Sequence, residues 1–316
     1  MFKDFPTGMN MYITTAANGK TGTLLLDPDT ITVGNGSGAT ASGATTFASI
    51  YETTLESVAA TTNIILQANN EIIISDLSDN NLSLQQTNGN TVTFQTLRNS
   101  ISRDTDGNIT SSTGDIRFLA TNDTITTQGG DIIFKAKDDL VIGSLNSNGG
   151  DISLTGKTLN LLGSINSGAG DVSIDGSSNI YLGGSALTGC GVGSANLCDM
   201  SIVQSKLNNI SGNKLTIGGT LSGDISVDGV TLTSFSDGVV LNVNNHLSGS
   251  DGAIVFQADS SFSSLEAKAI NGINVNSNIT TTTGTLILDG DSDSSTDRIK
   301  PEDNINFASG VSLTSA

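Results

Sequence analysis

The chain carries one histidine, two cysteines, three prolines and no tryptophan in 316 residues. Charged residues make up 14 % and aromatics 4 %, and 13 Lys and Arg stand against 31 Asp and Glu, a net charge of −18. These shortages exclude whole classes of chemistry. His246 alone cannot build a His-rich zinc site, and two cysteines cannot build a four-Cys one. Nucleic-acid binding draws on clustered Lys and Arg, and an acidic chain with 4 Arg repels phosphate. No apolar run approaches the roughly 18 residues of a membrane-spanning helix. The opening MFKDFPTGMNMYITTAANGK lacks the apolar core of a signal peptide. That leaves a cytosolic chain or a true start lying upstream.

What the chain does have is Gly, Ser, Thr and Asn between short, regular runs of Ile, Leu and Val. Such runs point to a folded β-rich chain rather than to disorder. Gly-Asp followed by an apolar residue begins at Gly114, Gly130, Gly150, Gly170 and Gly223. Residues 130–149 (GDIIFKAKDDLVIGSLNSNG) and 150–169 (GDISLTGKTLNLLGSINSGA) align over their full 20 residues, and a third unit opens at Gly170. Alternation places Ile152, Leu154, Leu159, Leu161 and Ile165 inward in one unit. It places Val172, Ile174, Ile180, Leu182 and Ala186 inward in the next. Twenty residues suffice for two or three short strands, so the period predicts an all-β solenoid of stacked coils. About 12–15 coils fit if each takes roughly 20 residues. Asn and Ser at the corners can ladder along the stack.

Looser versions run from TGTLLLD (21–27) to GTLILDG (284–290), and NINFASGVSLTSA begins another coil and stops inside it. With no cap at that end, the chain reads as a piece of a longer array. The expected division is N-terminal coils, loop and helix over 1–62, regular repeats over 63–185, an insertion over 186–212 and continued coils over 213–316. In 45–63, Phe47, Ile50, Leu55, Val58 and Ala59 approach a helical stripe beside Glu52 and Glu56. This predicts a short lateral helix. Gly34–Gly43 reads as a flexible loop.

Several motifs suggest chemistry and then break. Gly34-Asn35-Gly36-Ser37-Gly38-Ala39 satisfies GxGxxA, but the required helix and βαβ unit are missing. Gly19-Lys20-Thr21 and Gly156-Lys157-Thr158 resemble the end of a P-loop whose first Gly is replaced by Thr14 and Asp151. Asp289, Asp291, Asp293 and Asp297 imitate the start of an EF-hand loop. Ser294 then stands in place of the Gly and Lys300 in place of the bidentate Glu. A solvated corner is the favoured reading, with weakly bound calcium as the alternative. No cofactor is expected. Cys190 and Cys198, in GCGVGSANLC, suggest a disulfide-closed loop if the protein is secreted. Closure would stabilise by roughly 2–3 kcal/mol in the chain-entropy model. Unpaired thiols or a redox pair are the alternatives, and the redox pair lacks CxxC spacing.

A polysaccharide lyase or hydrolase on a β-helix is the enzymatic rival, since such enzymes work with paired carboxylates. The chain offers Asn122-Asp123, Asp138-Asp139, His246 and Arg298-Ile299-Lys300 in the order of the polygalacturonase-like motifs. Asn-Thr-Asp and Gly-His-Gly are not spelled, and Asp139 and His246 fall about five coils apart, near 25 Å at strand spacing. No enzyme activity is expected.

TGTLLLDPDTITV (21–33), ATTNIILQANNEIIIS (60–75) and the GGDIxL…LxLxGSIxS units of 129–169 resemble the filamentous-haemagglutinin-like large exoproteins. The likeness runs from about Thr21 to Ala316. It implies a right-handed parallel β-helix in a bacterial adhesin displayed at the cell surface. It also implies export through an outer-membrane transporter, by two-partner or autotransporter-type secretion. The implied partners are host-cell, glycan or abiotic surfaces. The family's N-terminal signal and Asn-Pro-Asn-Gly-type motifs do not occur in this chain, so the resemblance implies an internal segment.

Overall fold

The computed structural model describes residues 11–14, 22–36, 39–42, 47–98, 101–103, 109–112, 114–184, 200–244, 252–292 and 304–316. It is nearly all β, with long parallel sheets and, among the described residues, two helices of one turn each. The chain separates into two compact units, one running to Gly170 and the other from Asp171.

In the first unit, Gly22–Leu26, Thr62–Ala68, Thr91–Thr96, Asp131–Lys135 and Ile152–Gly156 are parallel neighbours in one sheet. Thr30–Gly34, Glu71–Ile74, Asp115–Phe118, Asp139–Ile142 and Thr158–Leu161 form a second. Asn81–Thr87, Thr124–Gln128, Ser144–Asn146 and Ile165–Asn166 form a third. From Thr62 onward the chain visits first, second and third sheet in turn and then returns to the first. Side chains alternate along the strands, so one face is apolar and buried while the other is mostly Ser, Thr, Asn and charged residues, with Leu25, Ile65, Ile73 and Ile133 among them. Register puts like on like: Val92, Ile132 and Ile152 lie side by side, as do Phe94, Phe134 and Leu154. The Phe94 and Phe134 rings stack with centroids 4.6 Å apart, the spacing of the strands that carry them.

The second unit repeats the cycle. Val172–Gly176, Leu215–Ile217, Val239–Val243, Leu265–Ala269 and Leu286–Asp289 are parallel neighbours. So are Ile180–Gly183, Ile225–Asp228, Ile254–Ala258, Ile273–Val275 and Ile305–Phe307. The third sheet holds Thr231–Leu232, Ser260–Phe262, Ile279–Thr281 and Leu313–Thr314.

The 20-residue period is local. Ile132 pairs with Ile152 and Leu145 with Ile165, each 20 residues on. Elsewhere Leu24 pairs with Ile64, Val92 with Ile132 and Val172 with Leu215, up to 43 residues on. The first sheet of each unit therefore has five parallel strands among the described residues, fewer passes than a uniform period gives. The extra length leaves at corners, where it does not disturb the stack. One excursion is the antiparallel hairpin of Ile101–Arg103 and Ile109–Ser112.

Two other excursions correct the sequence reading. Phe47–Tyr51 is a strand, and the helix covers only Glu52–Glu56. Pairing of Phe47–Tyr51 with Thr30–Gly34 outweighs the helical stripe. Leu55 and Val58 are buried as that stripe requires, but Ala59 is exposed. Gly34–Gly43 is not all loop either, because Ala39–Ser42 pairs antiparallel with Phe47–Tyr51. In the 186–212 insertion, Met200–Ile202 joins Ile180–Gly183 in parallel and Gln204–Leu207 is helical. That part is an added layer, and Ala186 lies outside the described residues.

The start of the first unit is covered on all three sheets. Met11–Thr14 lies antiparallel on Gly22–Leu26, and Ala39–Ser42 closes the second sheet. Helix Glu52–Glu56 covers the third. Glu56 accepts the Ser83 N–H at 2.8 Å, and Glu52 accepts from the Ser78 N–H and hydroxyl.

Ile152 is fully buried and its neighbour Ser153 faces outward. Ile152→Asp strands an unpaired charge in the core, a cost of several kcal/mol. It should lower the thermal midpoint sharply, whereas Ser153→Asp should leave it within a few degrees. Equal effects in a melting experiment would refute the assigned alternation.

Candidate functional site

The Gly-Asp corners show what most of the unusual residues do. A Cβ on Gly150 would sit 2.5 Å from the Gly130 carbonyl oxygen, and one on Gly170 would sit 2.2 Å from that of Gly150. Only glycine allows successive passes to approach so closely. The Asp that follows reaches along the stack: Asp131 Oδ1 accepts the Asp151 N–H at 2.9 Å. In the second unit Asn179 accepts the Asp224 N–H and Asp224 accepts the Ala253 N–H, both at 2.9 Å. A hydroxyl three residues before the glycine completes the corner. Thr127 donates to the Gly130 carbonyl at 2.6 Å and Ser167 to that of Gly170 at 2.7 Å. The acids of the repeat thus satisfy backbone donors.

The candidate catalytic acids are placed in the same way. Asp123 is fully buried and accepts the Leu77 N–H at 3.3 and 3.4 Å. Asp138 and Asp139 are 4 % and 6 % exposed. Asp139 accepts the Thr158 hydroxyl at 2.7 Å, and its N–H donates to Asp115 at 3.2 Å. Asp138 pairs with Lys157 at 3.5 Å, so the lysine of the P-loop-like Gly156-Lys157-Thr158 is held in a corner. These carboxylates are buried and already bonded within the protein. His246, Arg298, Ile299 and Lys300 lie outside the described residues, as do Cys190, Cys198, Asp293 and Asp297. Of the calcium candidates, Asp289 ends a strand beside Lys268, and its Oδ1 accepts the Asp291 N–H at 3.3 Å. Among the described residues no three of His, Cys, Asp and Glu are grouped to hold a metal. No helix among them is long and apolar enough to cross a membrane.

The surface feature that sequence reasoning missed is on the third sheet of the second unit. An open groove of about 320 Å³ is lined by Asp259, Ser260, Ser261, Asn278, Thr280, Ser312 and Thr314. Ser261, Thr280 and Thr314 are register partners across three strands. Behind them runs a bonded corner row. Asp259 Oδ1 accepts the Asn278 N–H at 2.9 Å and Oδ2 accepts the Asn278 side-chain amide at 3.1 Å. Asn278 Oδ1 in turn accepts the Ser312 N–H at 2.8 Å. The signal was available as a hydroxyl residue beside an apolar one in Ser261-Phe262, Ile279-Thr280 and Leu313-Thr314. Their spacing of 19 and then 34 residues hid the alignment from a 20-residue search.

No family model, curated protein or solved structure matches the chain.

Burial raises the pKa of Glu71, Asp123, Asp138 and Asp175. For Asp138 the neighbouring Asp139 and Asp115 add to the rise and Lys157 opposes it. An acid whose folded pKa is raised binds its proton more readily in the folded chain. Folding stability should therefore increase as pH falls from neutral towards the ordinary carboxylate values of 3.8 and 4.5. The thermal midpoint, measured between neutral and mildly acid buffer, should rise, and Asp138→Asn should reduce its slope against pH. A midpoint that falls over that interval would contradict the assignment.

Proposed function

We propose that this chain is a segment of a secreted bacterial surface exoprotein of the filamentous-haemagglutinin type. It forms a right-handed parallel β-helix that acts as a stalk and displays loops for attachment to cells or surfaces. The observation that carries this is the ordered return through three parallel sheets, with inward positions apolar and outward positions mostly polar. Right-handed connections are the rule for parallel strands of one sheet. The buried candidate acids, tied to backbone and to Lys157, favour support over polysaccharide cleavage. The net charge of −18 favours solubility of the exposed strand edges.

Antibody against this chain should label intact producing cells, and external protease should remove the label. Labelling only after permeabilisation would overturn surface display. Soluble chain should also compete with attachment of those cells to their surface. Exported protein should show no free thiol under non-reducing denaturation, with Cys190 and Cys198 joined. Two reactive thiols would argue for a reducing compartment.

A further inference from the structure

We propose that the groove on the third sheet of the second unit binds a neutral, linear glycan laid along the stacking direction of the strands. The proposal gives the adhesive reading a ligand class and rests on that reading for its biological meaning. Its physical basis is separate.

The groove has two parallel rows with different duties. The corner row is fixed by its own hydrogen bonds, so Asp259 and Asn278 present their remaining lone pairs and amide hydrogen in set directions. A carboxylate has about four acceptor sites, and two of those on Asp259 are used by Asn278. The others can accept a pair of adjacent sugar hydroxyls. The outer row offers Ser261, Thr280 and Thr314 hydroxyls, each able to donate and accept. Successive hydroxyls are separated by one strand step, about 4.8 Å. That step is close to the length of one hexose unit, so a linear glycan meets one hydroxyl per sugar.

The lining also selects against other ligands. Among the described residues it contains no Lys or Arg, and its one acidic side chain is that of Asp259. Phosphate, sulfate and uronic acids are therefore repelled, in keeping with a chain of net charge −18. Asp259 stands apart from any triplet of acidic ligands among the described residues, so a metal is not the natural occupant. Among the described residues no aromatic side chain lines the groove to stack on a sugar ring. Affinity then comes from hydrogen bonds made in exchange for water. Each of these contributes little, so several sugar units are needed and a monosaccharide is not held.

Saturation-transfer NMR and calorimetry on the full chain, with cellohexaose as the probe, test this directly. Saturable binding is expected, with glucose and hexagalacturonate each at least about tenfold weaker. Thr280→Val keeps the shape of an outward β-branched residue and should weaken cellohexaose about threefold to tenfold. Ser261→Ala should do the same. Thr126→Val, on the outer face of the first unit's third sheet, should bind like the parent. The proposal is overturned by absence of saturable cellohexaose binding, by equal binding of hexagalacturonate, or by folded Thr280→Val and Ser261→Ala proteins that bind like the parent. None of these outcomes bears on surface labelling of cells, so the adhesive reading and the groove can fail separately.

Discussion

Each strand is held in register with the strand one pass later, and the rest of the structure depends on that register. Parallel strands about 4.8 Å apart place identical positions on top of one another. An apolar residue therefore pairs with an apolar residue, and the Phe94–Phe134 stack and the Val92, Ile132, Ile152 row follow directly. A slip of one residue would turn every inward side chain outward. Against that penalty, long excursions between sheets are tolerated, because loop closure becomes only slowly more costly with length. The returns can thus vary from 19 to 45 residues while the buried rows stay continuous within each unit.

The corners enforce the register. Gly130, Gly150 and Gly170 let adjacent turns touch, and Asp115, Asp131 and Asp224, each following a Gly, accept a backbone N–H one pass further on. The Ser or Thr three residues earlier closes the turn from the other side. This division of labour explains a composition that is poor in charge yet acidic. The carboxylates are structural acceptors, and few basic partners are required. It also explains why carboxylates that could have formed a catalytic pair are enclosed. Asp123, Asp138 and Asp139 are buried and already bonded, Asp123 to the Leu77 N–H, Asp138 to Lys157 and Asp139 to the Thr158 hydroxyl.

Strict alternation made the inward set legible before the fold was known. Ile152, Leu154, Leu159, Leu161, Ile165, Val172, Ile174, Ile180 and Leu182 are all buried. The span 45–63 misled because Phe47, Ile50 and Leu55 fall close to a period of 3.6, whereas pairing with the partner strand Thr30–Gly34 imposes a period of two that buries Ala48 and Ile50. The coil length misled because the two clearest repeats are among the passes without excursions. The groove was illegible for a related reason. Its hydroxyls become neighbours through register, and no local pattern announces that Ser261, Thr280 and Thr314 share a row.

The most direct test of the stacked register is a distance within the first unit between residues far apart in sequence. Leu25 and Ser153 both face outward on the first sheet, four strand steps apart. Spin labels at these positions, in a protein with Cys190 and Cys198 replaced by Ser, should report a narrow distribution centred near four spacings, about 19 Å. A broad distribution, or a centre beyond about 30 Å, would contradict in-register parallel stacking.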